Sequence, residues 1–259
     1  MVTKVSPNYV GKVADRIAGA IVDQAYELKK NPKIRVDVTI DDSLCSIVVY
    51  SSCHIGESVV KEIVNRISGI ENVKYDFTLI DGYNKDFSCS ENVNVKARIE
   101  GDSDRRVVSV CNDIFNHTNG QVCCEFEHPN MMIRTSEKID LDKVNFCVNH
   151  NDISMKVVSD DFNPKSSMSN TSTASDMGTI VDYLHGRDVF NPHVSLAIYA
   201  YLLAEKKGGE VCISCKKGDT IVNGVKYTSI VNKVKKYING VGGFEKLAEW
   251  GMYRPLVRN

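Results

Sequence analysis

Residues 5–17 read VSPNYVGKVADRI, and this stretch decides how the rest of the chain is interpreted. From residue 8 to residue 30, apolar side chains recur every three or four positions, which is typical of one stripe of an amphipathic helix. The Ser-Pro-Asn triplet at 6–8 supplies capping chemistry at the start, and the Asn-Pro pair at 31–32 ends the pattern. The sequence therefore predicts a helix over residues 8–30.

Patterns of strand and helix continue outward from this helix to the end of the chain. Residues 93–100 and 106–111 alternate around the Gly-Asp-Ser-Asp turn at 101–104, which predicts a β-hairpin. A polar stretch without periodicity, residues 159–178, predicts a long loop. Further strands are predicted over 34–40, 45–50, 75–80, 121–127, 144–149, 153–158 and 210–215, and further helices over 56–67, 192–207, 228–238 and 243–250.

Strands mixed with paired helices predict an α+β fold. We expect units of mostly antiparallel sheet, with helices packed on one face, to recur as a pseudo-repeat. The predicted domains are an N-terminal domain over residues 1–90, a reduced middle domain over 91–158, and a C-terminal domain over 159–259 that begins with the long loop.

Composition limits the classes of partner. Lys plus Arg number 32 and Asp plus Glu number 33, so no net charge draws the chain to nucleic acid, and we predict no such partner. No apolar run approaches the roughly 20 residues of a membrane-spanning helix, and no secretion signal is visible. We therefore expect a cytoplasmic protein without a membrane, and nine reduced cysteines.

A CxxC motif at Cys212 and Cys215 is the one cysteine pattern that suggests a metal. The two thiols fall in a predicted strand, where residues three apart point to opposite faces. No second Cys or His pair stands at zinc-like spacing, so we predict no metal site from this motif.

The order of several segments resembles the methionine adenosyltransferase (S-adenosylmethionine synthetase) family. Residues 5–17 resemble its opening, V-S-E-G-H-P-D-K-I-A-D-Q-I, and residues 179–186 (TIVDYLHG) resemble I-I-V-D-T-Y-G-G. Near the end, residues 253–256 (YRPL) resemble R-P-I-Y. The chain looks like a shortened and divergent member, which implies the α+β fold of that family.

That resemblance implies a chemistry and an assembly. The family joins the methionine sulfur to C5′ of ATP and expels triphosphate, so lysines and arginines must meet phosphate oxygens while carboxylates hold Mg²⁺ and K⁺. Its active sites lie between two subunits of dimers or tetramers. We therefore expect a homo- or hetero-oligomer, preferably with a full-length synthetase chain, and ATP with Mg²⁺ and K⁺ where an interfacial site is kept.

Five residues keep a charge that the family's site uses. The resemblance carries a catalytic, phosphate-facing role to Lys12 and to Arg187, and a cofactor-binding role to Asp15, Asp182 and Asp188. It carries a metal-binding role to none.

Other motif positions lack the residues that the chemistry needs. The family's histidine falls at Tyr9, its first metal-binding aspartate at Gly11, and its strand-end acid near Thr39. Its Gly-Asp-Gln-Gly loop falls in a deletion, and residues 171–178, which stand for a cation-bearing loop, contain no lysine or arginine. A site without these charges loses transition-state stabilisation, and each loss of about 1.4 kcal/mol lowers the rate tenfold.

We therefore hypothesise a divergent synthetase subunit, inactive alone, that completes a site with a more complete synthetase chain. A catalytically silent protein that binds a nucleotide or S-adenosylmethionine is the alternative. A structural interaction module is a third reading.

Overall fold

The computed structural model describes residues 2–7, 9, 12–30, 32–41, 44–69, 74–82, 92–99, 102–127, 129–139, 153–159 and 192–250. The helices are α1 Val13–Leu28, α2 Glu57–Ser68, α3 Asp102–Asn116, α4 Pro192–Lys207, α5 Tyr227–Gly240 and α6 Phe244–Trp250. The strands are β1 Val2–Val5, β2 Ile34–Asp41, β3 Leu44–Ser51, β4 Lys74–Asp81, β5 Val93–Ile99, β6 Val122–Glu127, β7 Asn130–Thr135, β8 Ser154–Ser159, β9 Gly209–Cys215, β10 Ile221–Val222 and β11 Val225–Lys226. This mixture confirms the predicted α+β class.

The sheet β2-β3-β4 lies beneath α1 and α2. β2 and β3 form an antiparallel hairpin, whereas β3 and β4 run parallel and are joined through α2. Residues alternate between buried and less buried positions along β3, because successive side chains of a strand point to opposite faces. One face of this sheet therefore carries the helices, as the sequence predicted.

The other sheets join segments that are distant in sequence. β1 pairs antiparallel with β6, and the four-stranded order is β1-β6-β7-β8. β5 pairs antiparallel with β9, and β10 with β11. Two of these pairings, β1 with β6 and β5 with β9, cross the predicted boundaries near residues 90 and 158. The domain division stays a prediction.

The predicted hairpin over residues 93–111 is wrong in its second arm. Residues 102–116 form α3, and β5 pairs with β9 instead of with its neighbour in sequence. Val107, Val110, Cys111 and Ile114 are buried at the spacing i, i+3, i+4 and i+7, which suits a helix better than a strand. The polar residues from 102 onward begin the helix and do not form a turn.

The first helix begins later than predicted, at Val13, and its N-cap residue, Lys12, makes no side-chain capping bond; Asn8 of the predicted cap lies outside the described residues. Ser6 has another role, because its backbone nitrogen donates to the Val122 carbonyl at 2.8 Å. Its hydroxyl also accepts from the Val122 nitrogen at 3.0 Å. The expected capping segment therefore extends the pairing of β1 with β6.

Most other predicted elements are confirmed to within a few residues. The sequence reading missed β1, β7, β10 and β11. The predicted strand over 144–149 and nearly all of the predicted loop over 159–178 lie outside the described residues. None of the described helices combines the length and apolar character needed to cross a membrane.

Two hydrophobic cores meet at α6. The first joins α1, α2, α4, α5 and α6 to strands β2, β3, β5 and β9, and the second joins α3 to β6 and β7. Phe244 and Leu247 belong to the first core, whereas Trp250 packs against the second. The short terminal helix therefore connects the two cores.

A glycine makes the close contact of α6 with α1 possible. A Cβ atom at Gly19 would stand 2.8 Å from the Glu245 nitrogen and 2.8 Å from the Phe244 carbonyl oxygen. Backbone atoms cannot move aside as a flexible side-chain end can, so only glycine fits this position.

We expect Gly19→Ala to lower the free energy of unfolding by about 2 kcal/mol, because the clash exceeds the gain in helix propensity. Gly240→Ala is the matched control, since a Cβ there meets nothing within 4 Å. The control should change stability by less than about 1 kcal/mol. Urea unfolding followed by circular dichroism measures both, and equal stabilities would contradict the tight contact.

A buried amide on α3 offers a second test of the packing. Asn112 is 3% exposed, and neither its Nδ2 nor its Oδ1 makes a hydrogen bond to any of the described residues. Because buried unsatisfied polar groups are costly, Asn112→Leu should raise the free energy of unfolding by about 1 kcal/mol. The exposed Asn65→Leu should leave it unchanged within about 0.5 kcal/mol. A loss of stability at residue 112 would show that the amide has a role of its own.

Candidate functional site

The structure describes two of the five predicted site residues. Lys12 and Asp15 lie at the start of α1 and are both 2% exposed. Arg187, Asp182 and Asp188 lie outside the described residues. Their roles, and any grouping of the five, therefore stay predictions.

Lys12 caps the end of α6. Its Nζ donates to the Glu249 carbonyl at 2.8 Å and to the Val5 carbonyl at 3.2 Å. Lys4, which is 1% exposed, donates from its Nζ to the Trp250 carbonyl at 2.7 Å. The last carbonyls of a helix have no partner within it and carry the negative end of its dipole, so two buried ammonium groups stabilise this terminus.

The opposite end of α6 is capped by a carboxylate from α1. Asp23 accepts from the Phe244 nitrogen at 2.8 Å and from the Glu245 nitrogen at 2.9 Å. Burial raises the pKa of Asp23 to about 6; the two backbone hydrogen bonds lower it, and the charges of Glu245 and Glu27 add to the rise. The groups that lower the pKa are backbone amides and not a cation.

Glu245, in the first turn of α6, has the opposite electrostatic environment. Arg66 of α2 holds its carboxylate in a fork, with distances of 2.7 and 2.8 Å, and Arg16 of α1 lies 3.7 Å away. Burial alone would raise the pKa of Glu245, but the hydrogen bond and charge of Arg66, with the charge of Arg16, lower it overall. This ion cluster ties α6 to both α1 and α2.

A groove of about 680 Å³ opens beside this cluster, between α1, α2 and the turn that precedes α6. It has a mixed polar lining to which Asp23, Tyr26, Glu27, Lys30, Arg66 and Glu245 contribute. Sequence reasoning missed this group, because its members are spread over three helices that only the tertiary structure brings together. In the sequence alone, the polar residues that α1 contributes to the groove look like an ordinary solvated helix face.

The described residues do not fit a divalent metal. Thr39, where the family's strand-end acid falls, is exposed on β2 opposite Ser46. Asp37 lies two residues earlier on the same strand but forms an ion pair with Arg35 at 3.0 Å. Throughout the described part of the chain, no group of three or more His, Cys, Asp or Glu side chains is close enough together to hold a metal ion.

The cysteines that the structure describes divide into two states. Those at 45, 53, 111, 123, 124 and 212 are free, whereas Cys215 is disulfide-bonded. The expectation of reduced thiols is therefore wrong at this position, because pairing depends on proximity in space and not on composition. Cys212 is exposed and Cys215 is buried, so the two CxxC thiols point to opposite faces of β9, as predicted.

Comparison with known proteins gives evidence on the fold alone. No protein-family model and no curated protein sequence matches this chain. A solved structure described as an unusual S-adenosylmethionine synthetase from Campylobacter jejuni is similar, with a TM-score of 0.60 and 10% sequence identity. The match covers 97% of this chain and 93% of that one. The chain therefore has an S-adenosylmethionine synthetase-like fold, and at this identity the likeness says nothing of activity.

We expect Lys12→Met to lower the free energy of unfolding by about 2 kcal/mol, because two carbonyls lose a charged donor inside the protein. Lys61→Met, at an exposed position of α2, should change it by less than about 0.5 kcal/mol. Urea unfolding of the two variants makes the comparison. Equal stability of both would show that Lys12 does not hold α6.

Proposed function

We propose that this chain is a divergent S-adenosylmethionine synthetase subunit that completes an interfacial ATP and methionine site together with a more complete synthetase chain. One contrast carries the proposal. The synthetase-like fold extends over 97% of the chain, whereas most of the charged residues that synthetase chemistry needs are missing from the sequence. A chain that has the fold but lacks these charges is better suited to supply part of an active site than a whole one.

The surroundings of the opening motif support this division of roles between the chain and its partner. Lys12 is the cation that the opening motif shares with the family, and it donates to backbone carbonyls at both of its described hydrogen bonds. Thr39 brings no carboxylate to the strand where the family holds a metal. Under the proposal, the partner chain supplies the metal ligands and most of the phosphate-binding cations, and this chain supplies a wall of the site.

The outer face of the sheet β2-β3-β4 is suited to contact with such a partner. α1 and α2 cover the other face, and the outward-facing Leu44 and Ile80 are 46% and 40% exposed. The half-buried Val48 and Tyr50 lie between them on the central strand. The same face also carries the Arg35–Asp37 ion pair and the exposed Asp76, so a partner would meet the mixture of apolar and charged side chains that non-obligate interfaces have.

The first experiment compares three samples: this chain alone, a synthetase chain of the same source alone, and the two produced together. S-adenosylmethionine formation and phosphate release are measured in each. We expect no activity from the lone chain, and a co-purifying complex with a higher kcat/KM than the synthetase chain alone. Robust activity of the lone chain would contradict the subunit assignment.

A matched pair of variants tests the contact face. Ile80→Glu places a charge on the outer sheet face, and Ile221→Glu places one at a position that is 59% exposed on the small β10–β11 hairpin. We expect Ile80→Glu to abolish co-purification and Ile221→Glu to preserve it, with both variants folded by circular dichroism. Calorimetry with ATP, methionine and S-adenosylmethionine completes the test, because ligand binding without any turnover would indicate a silent binding protein instead.

A further inference from the structure

Helix α6 is too short to be stable by itself, so its anchors decide whether it stays folded. An isolated helix of seven residues is far below the length that persists in water. Three kinds of contact hold this one: the amide bonds of Asp23 at its start, the arginines around Glu245, and the ammonium groups of Lys4 and Lys12 at its end. Loss of one anchor weakens the docking of the whole helix.

Asp23 is the anchor whose environment conflicts with its charge. Gly243, with φ at +105°, brings the backbone so close that a Cβ there would stand 2.7 Å from Oδ2 of Asp23. Its carboxylate is half-buried at the edge of the groove, and the charges of Glu245 and Glu27 act on it. The charged groups around it are Glu27 of α1, Lys30 just beyond the end of α1, Arg66 of α2, Glu245 of α6, and Lys235 of α5, which lies over the Tyr26 ring.

Two of the nearby cations are engaged elsewhere, and the third, Lys30, is exposed to solvent and is not among the groups that shift the pKa of Asp23. Arg66 forms its fork with Glu245, and the ammonium of Lys235 lies 5.4 Å from the centre of the Tyr26 ring. The two amides that bind Asp23 stabilise its negative charge, but they lower its pKa by less than burial raises it. A proton on the carboxyl group would remove the repulsion from Glu27 and Glu245 while leaving one oxygen to accept a backbone hydrogen bond.

We propose that Asp23 makes the docking of helix α6 onto helix α1 sensitive to protons, so that the helix is held more firmly in mildly acidic solution and loosens as Asp23 ionises. Because α6 joins the two cores, loosening it also relaxes the contact between them. It also removes the Glu249 carbonyl from Lys12, whose ammonium group keeps its hydrogen bond to the Val5 carbonyl. The proposal is independent of the synthetase function.

The direction of the effect follows from the shift in the pKa of Asp23. The pKa is raised from 3.8 to about 6 in the docked state. The contribution to docking is therefore fully present below 3.8 and is lost as the pH rises through about 6. Glu245 acts in the opposite sense, since its pKa is lowered, and its contribution fades only as the pH falls below its ordinary value of 4.5.

Amide hydrogen exchange of the full-length chain tests whether the docking of α6 depends on pH. The protection of residues 244–250, corrected for the intrinsic rate, is compared at pH 4.5 and pH 7 for the wild type, Asp23→Asn and Glu62→Gln. Between these values we expect wild-type protection to fall about tenfold more than that of Asp23→Asn. Glu62→Gln, which removes an exposed carboxylate from α2, should behave as the wild type does.

Two further readouts decide the outcome even if Asp23→Asn is less stable overall. The ¹³C shift of the Asp23 carboxyl group should titrate near pH 6, and α6 should exchange faster than the buried part of α4, residues 196–204. An unchanged pH slope in Asp23→Asn would overturn the proposal. So would a titration near pH 4, or protection of α6 equal to that of α4 at every pH.

Discussion

The approach of helix α6 to helix α1 at Gly19 is the contact on which the other anchors depend. With a glycine there, the backbone of Phe244 and Glu245 lies against α1 at a distance that no Cβ would permit. That distance brings the Asp23 carboxylate within hydrogen-bonding range of two amides at the start of α6. Glu245 comes within reach of Arg16 and Arg66 for the same reason. One missing methyl group therefore allows the polar network to form.

Helix α6, the last described helix, stabilises the first segments of the chain. Lys4 and Lys12 are separated from their carbonyl partners by 246 and 237 positions in sequence, and yet both are almost fully buried. In the synthetase-like fold this arrangement gives the lysine of the opening motif a structural partner. Lys12 thus has a structural role at the end of α6, apart from the catalytic role that the resemblance predicts for it.

Two neighbouring carboxylates illustrate how the surroundings of a side chain set its pKa. Asp23 and Glu245 are both partly buried near the start of α6, but their pKa values shift in opposite directions. Burial acts on each in the same sense. The difference lies in the partners, because Glu245 faces two arginines, whereas Asp23 faces neutral amides and other acids. The surroundings of the α6 start therefore favour the ionised form of Glu245 and disfavour the ionised form of Asp23.

The sequence by itself determined the elements whose periodicity is local: the stripe of α1, the alternation of β2 and the apolar face of α2. It misassigned residues 102–116, because a polar turn-like stretch between apolar residues fits a hairpin as well as a helix start. It indicated Lys12 and Asp15 as charged residues but not their surroundings. Only the tertiary structure decided that β1 pairs with β6, that Gly19 meets α6, and that Asp23 and Lys12 cap opposite ends of one helix. These contacts join residues more than a hundred positions apart, and local pattern carries no information about such distances.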